Sequence, residues 1–219
     1  MSEGSDHIKI NILYRLLLVI TCASIIFGVG CSDKGDDTDK IAYISQSADS
    51  EYERTFDELG LGRLFDFNFK LPRSDESWVK IWVEGYKDGE PVEPFPLIKL
   101  SYGLVPKEVE EGNLGAGILH PGSDSPQLFI YSKGARTGPV NIDDSLFSDT
   151  NVRGWDYAIE GETVGLNSGE EKVLAVYRLG KGSMRTRYNY QDPDELDEMI
   201  SEDKVVLIFM ISIEEKEEV

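Results

Sequence analysis

Past Cys31 the chain has no cysteine, since its two thiols, Cys22 and Cys31, both lie near the amino terminus. A domain without cysteine has no disulfide staple and no thiolate chemistry, and must hold together by core burial. Histidine is as scarce, with only His7 and His120. Zinc sites built from several imidazoles are excluded, and a Ser-His-Asp device would have to use His120. That residue sits in ILHPGSDSP, among turn formers, where a loop histidine is expected. Basic residues are outnumbered: 22 Lys and Arg stand against 41 Asp and Glu, a net charge of −19. A field of that sign repels phosphates and argues against nucleic-acid binding, and its ordinary consequence is solubility. No internal repeat is visible, and no apolar run reaches the roughly 20 residues that span a bilayer.

What is present begins with Leu16–Gly30, a 15-residue apolar run between Arg15 and Cys31. Lys9 and Arg15 supply a basic start, and Gly28, Val29 and Gly30 form a compact approach to Cys31. A basic start, a short apolar stretch and small residues before a cut are the parts of a secretory signal. The segment GVGC resembles the lipobox of bacterial lipoprotein signal peptides, with Gly28 where that family usually carries Leu, Val or Ile. The resemblance covers residues 1–31. It implies that residues 1–30 are removed, that Cys31 receives a diacylglyceryl group, and that the protein is held at the extracytoplasmic face of a membrane. Two acyl chains suffice for stable anchoring. An uncleaved membrane helix, with Arg15 snorkelling, and ordinary cleaved secretion stay open beside it.

Without Glu3, Asp6, Lys9 and Arg15, the remainder has 39 acidic and 20 basic residues, so the imbalance survives cleavage. Residues 31–40, with four aspartates, read as a flexible acidic tether of roughly 15–18 Å. Residues 41–219 read as one domain, long enough for a proper core.

Within it, Ile41–Leu61 is ambiguous, although Ser50–Leu59 fits a short helix capped by Ser50 or Asp49 and ended by Gly60. The period then switches to two. In Arg63–Leu71, Phe65, Phe67, Phe69 and Leu71 share one face, and Asp66, Asn68 and Lys70 the other. In Ser77–Lys87, Val79, Ile81 and Val83 oppose Trp78, Lys80, Trp82, Glu84 and Tyr86, and Asp88-Gly89 marks a tight turn. Pro91, Pro94 and Pro96 demote the return to an edge or loop. Strands follow at Leu97–Tyr102, Asn113–Leu119, Gln127–Ser132, Gly154–Glu160 with Trp155, Tyr157 and Ile159 inward, Lys172–Leu179 and Met184–Tyr190; Lys133–Val152 reads as a long loop. Asp192-Pro193 opens a helix over Pro193–Ser201. Lys204–Ile213 is too continuously apolar to be half-exposed and predicts a strand buried on both faces; EEKEEV after it reads as frayed. About nine short strands with one late helix predict an all-β, mainly antiparallel fold, a β-sandwich or jelly-roll-like domain. The segments FDFNFKLP and WVKIWVEGYKDGE resemble uncharacterised Gram-positive lipoproteins, a resemblance that implies no activity.

Candidate chemistry is sparse, and no cofactor or metal is expected. Asn141, Asp143, Asp144, Ser145, Asp149 and Asn151 are close in sequence, but the EF-hand pattern is missing, and a solvated turn explains them as simply as calcium does. Glu84 and Glu160 flank aromatic residues, which leaves a glycan-acting enzyme with paired carboxylates as the alternative function. Trp78, Trp82 and Tyr86 share a strand face as either a stacking ledge or a second core. The least expected window is Lys172–Gln191, with Lys172, Arg178, Lys181, Arg185 and Arg187 and no acid. Arg178, Lys181, Arg185, Arg187 and Tyr188, with Trp78 and Trp82, are the candidate contacts for an anionic ligand or envelope protein. Pairing of these cations with the protein's own acids is the competing explanation. The expected function is a membrane-anchored, extracytoplasmic, non-catalytic binding module.

Overall fold

The computed structural model describes residues 40–216 apart from Asp149 and Glu160. The expectations for the signal segment, Cys31, the tether up to Asp39, Asp149, Glu160 and the last three residues lie outside the described residues.

Two antiparallel sheets pack face to face, as the alternation predicts. The first runs β11 (Val164–Leu166), β1 (Ala42–Gln46), β2 (Gly62–Leu71), β6 (Glu110–Leu119), β7 (Gln127–Ser132) and β8 (Ala135–Arg136), with β9 (Val140–Asn141) also on β7. The second runs β10 (Val152–Tyr157), β12 (Glu171–Gly180), β13 (Val205–Glu215) and β3 (Ser77–Lys87), whose far side pairs with both β4 (Glu90–Pro91) and β5 (Ile98–Gly103). Pro91 thus sits on an edge, where its missing N–H costs no ladder bond.

The main core lies between the sheets. Phe65, Phe67, Phe69 and Leu71 of β2 meet Val79, Ile81 and Val83 of β3 and Leu207, Phe209 and Ile211 of β13 there. Fully burying such side chains contributes about 1.5–3 kcal/mol each. A second core lies on the outer face of the second sheet, where Val206, Ile208 and Met210 of β13 pack with Trp82, Val176, Tyr188, Tyr190, Met199 and Ile200. Residues 181–192 and helix α2 (Pro193–Glu202) supply its cover. Alternate side chains of β13 therefore serve two cores, which is why its sequence does not alternate.

Helix α1 (Glu51–Glu58) opens on Ser50, whose Oγ accepts the Glu53 amide at 3.2 Å. It closes on Gly60 at φ 61°, with the Gly60 amide on the Asp57 carbonyl and the Leu61 amide on the Phe56 carbonyl. These two bonds form a Schellman ending. For α2, Asp192 accepts the Asp194 amide and Pro193 takes the first turn.

Five expectations need correction. The ambiguous segment after Ile41 contains strand β1, which sits between β2 and β11. The loop Lys133–Val152 contains β8 and β9 and a 3-10 turn at Asp144–Leu146. Residues 184–190 form no strand: Met184 seats in a notch at Gly154 and Gly180, and Tyr188 and Tyr190 turn into the second core. Trp155 is 49% exposed, because β10 is an edge, although Tyr157 and Ile159 are buried as expected. Glu214 and Glu215 continue β13 against Trp78 and Ser77 instead of fraying.

Candidate functional site

The arginine-rich window is drawn onto the protein itself. The Arg178 side chain is 5% exposed and pairs through Nε with Asp203 at 2.5 Å. Its Nη1 donates to the Arg185 carbonyl at 3.0 Å, and Arg178 and Arg185 stack on the Tyr188 ring at 4.7 and 4.4 Å. Arg185 also reaches Glu198 and Glu195 of α2. Tyr188 donates to Glu202, and burial together with that carboxylate pushes its phenol up to about 12. Arg178, Arg185 and Tyr188 are thus brought together as a clip that fastens residues 181–192 and α2 to the second sheet. Lys181 and Arg187 are exposed and form no ion pair among the described residues. Trp82 is covered by the second core, while Trp78 is 41% exposed, so the aromatic ledge is broken up.

Glu84 is similarly committed. Its two oxygens accept from Trp82 Nε1 at 2.8 Å and from the Tyr86 hydroxyl at 2.9 Å. In the acidic loop, Asp143 caps the 3-10 turn through the Ser145 amide, Asn141 accepts from Gln127, and Asn151 accepts the Gly182 amide. No group of three His, Cys, Asp or Glu side chains gathers around a common point among the described residues. His120 occupies an exposed turn at φ 49°, its amide on the Leu61 carbonyl.

Among the described residues, a more apolar open surface lies on the outer face of the first sheet. There β6 presents Gly115 and Gly117, which pair across the ladder with Tyr131 and Phe129 of β7. Both rings lie over their glycine partners: a Cβ at Gly117 would come within 2.4 Å of the Phe129 ring, and one at Gly115 within 2.6 Å of the Tyr131 hydroxyl. Bare backbone in a strand interior is where a large ring can lie down. From above, α1 sets Phe56 against Phe129 with centroids 5.6 Å apart, and Tyr52 edge-on to Tyr131 at 6.0 Å.

Helix α1 buries none of its residues completely, and Tyr52 and Leu59 are 55% and 66% exposed. Beside it runs an apolar groove with two hollows. One, of about 280 Å³, is lined by Tyr52, Thr55, Phe56, Leu64, Phe129 and Tyr131. The other, of about 530 Å³, shares Phe56, Phe129 and Tyr131 and extends to Leu119 and to residues 136–139.

Beneath the groove lies a buried carboxylate. Asp66 is 1% exposed and accepts from the Ser50 hydroxyl at 2.7 Å, Asn113 Nδ2 at 3.0 Å and the Tyr131 hydroxyl at 2.6 Å. Alternation puts Asp66 on the outer face of β2, where solvent was expected; the amino-terminal end of α1 covers it instead. A charge out of water persists only where donors surround it. The Asp66 amide donates to the Tyr157 hydroxyl at 3.0 Å, and that hydroxyl donates in turn to Glu53 of α1. Burial first, then the adjoining carboxylates Asp66 and Glu53, push the Tyr131 and Tyr157 phenols far above their usual value of 10.0. Both rings are therefore fixed hydrogen-bond donors at neutral pH. Arg63 adds an ion pair to Glu53 at 3.3 Å and stacks on Trp155 at 5.2 Å. The network ties α1, β2, β6, β7 and β10 together beneath the groove.

Compared with protein-family models, curated proteins and solved structures, the chain matches none. Its functional reading therefore rests on the geometry of the groove.

Proposed function

We propose that this protein is a lipid-anchored, extracytoplasmic, non-catalytic binding module, and that its groove on the first sheet takes the apolar part of a small ligand. The groove carries the reading: an amphipathic helix with no fully buried residue, held by a buried polar network beside open aromatic rings. An apolar surface of this kind is costly to leave in water and expensive to preorganise, and binding offsets both. Small-molecule sites have comparable volumes, about 300–1,000 Å³, and the same apolar lining with few polar groups. The address is supported by Leu16–Gly30 and by GVGC ending at Cys31, with the acidic residues after it pushing the domain off an anionic surface.

Two experiments test the two halves. Mass spectrometry of the native mature protein is expected to find an acylated Cys31 as the first residue; an intact, unacylated Met1 end would overturn the address. Titration of the isotopically labelled domain with n-decanol, a neutral apolar probe, is expected to shift resonances of Tyr52, Phe56, Phe129 and Tyr131 together. No shift there, or shifts confined to the second sheet, would overturn the groove reading.

A further inference from the structure

We infer that the ligand of the groove is an amphiphilic monoanion, an apolar chain or ring ending in a carboxylate, with the carboxylate on Arg136. The inference rests on the groove reading above and adds the chemistry of the head group.

Among the described residues that line the two hollows, Arg136 is the one that is charged. In a chain with 41 acids and 22 bases, an apolar groove whose sole ionic group is a cation runs against composition. The side chain is exposed, and it has no carboxylate partner and no side-chain hydrogen bond among the described residues. Its backbone, by contrast, is fixed: Arg136 pairs with Tyr131 across the β7–β8 hairpin, whose turn uses Gly134 at φ 89°. A guanidinium on a pinned backbone loses less freedom on capturing a ligand than one on a mobile loop.

Apart from the Tyr52 hydroxyl, the other polar side chains of the lining already have partners. Tyr131 donates to Asp66, Thr55 Oγ1 donates to the Glu51 carbonyl at 2.7 Å, and Thr137 Oγ1 accepts from the Ile130 amide at 3.4 Å. Each of the four acids of α1 has an arginine beside it, although two arginines serve all four. Glu51 and Glu58 lie against Arg54, and Glu53 and Asp57 against Arg63. The one unpaired charge of the lining is that of Arg136, in the hollow that does not include Tyr52.

That asymmetry fits a molecule with one polar end. The planar fork of arginine matches a carboxylate with two parallel N–H···O bonds. A single unpaired guanidinium balances a single negative charge, whereas a phosphate monoester carries about −1.5 to −2 at neutral pH and calls for more cations than the groove supplies.

Decanoate, n-decanol, decyl phosphate and decyltrimethylammonium share one chain and differ in the head, so binding to the full domain separates chain from charge. Decanoate is expected to bind about tenfold more tightly than decanol, with decyl phosphate no tighter than decanoate and the ammonium weakest. Arg136→Glu is expected to abolish the preference for decanoate over decanol, read as the ratio of the two affinities, and salt is expected to erode the preference. Arg136 is exposed, and an unchanged thermal unfolding midpoint checks that the variant folds. Equal affinity for decanoate and decanol, a decanoate preference that survives Arg136→Glu, or tighter decyl phosphate would overturn the inference and leave the groove reading standing. If none of the four bound, the groove reading itself would fall.

Discussion

The outer face of the second sheet is covered by residues 181–192 and α2 over a second apolar core, whereas among the described residues the outer face of the first is covered by the eight-residue α1. The difference lies in what each cover is fastened with. On the second sheet, Met199 and Ile200 of α2 and Tyr188 and Tyr190 of the preceding segment go into the core, and Arg178–Asp203 clips the layer shut. On the first sheet, polar bonds at the amino-terminal end of α1 do the fastening, and Phe56 and Tyr52 rest on Phe129 and Tyr131 without being buried. A cover made by burial stabilises the fold; a cover made by a few directed bonds leaves apolar surface for something else.

Four changes should break or sharpen this contrast, beginning with the largest effect. Arg178→Ala leaves Asp203 buried without its cation, and should cost about 3–5 kcal/mol in denaturant unfolding. Asp66→Ala removes the acceptor shared by Ser50, Asn113 and Tyr131; it should cost about 2 kcal/mol and selectively speed amide exchange in α1. Gly117→Ala pushes the Phe129 ring off its seat, and should cost about 1 kcal/mol while strongly weakening decanol binding. The smallest effect concerns Glu110, whose carboxyl is held above its usual 4.5 by burial, with Lys133 and Lys107 opposing. A raised carboxyl favours folding only while protonated. Its contribution is complete below the ordinary value and lost as pH rises through the folded one. Glu110→Gln should flatten that part of the stability–pH curve, as read by thermal unfolding.

Much of the fold was legible because alternation and continuity report burial directly. Phe65, Phe67 and Phe69 had to share a face, and the unbroken run in β13 had to have apolar neighbours on both sides. Turn chemistry was equally plain at Asp88-Gly89, which has positive φ at both residues. What failed depended on partners distant in sequence. The three residues of β11 have no pattern of their own and exist because β1 offers an edge. Residues 184–190 alternate like a strand, yet Arg178 and two glycines hold them as an irregular cover. The groove was missed for the same reason. Gly115 and Gly117 carry no side-chain signal of their own, and Phe129 and Tyr131 are placed over them by cross-strand register. One local signal did exist: Tyr52, Phe56 and Leu59 form a helical stripe that nothing nearby in sequence covers.

Hydrogen exchange resolved by residue, with and without saturating decanoate, compares the two covers in one experiment. The amides of α2 should exchange only by global unfolding and ignore the probe, while those of α1 should open more readily and slow when decanoate is present. Equal protection of the two helices, unchanged by decanoate, would contradict the claim that the first sheet's outer face is the one left open for binding.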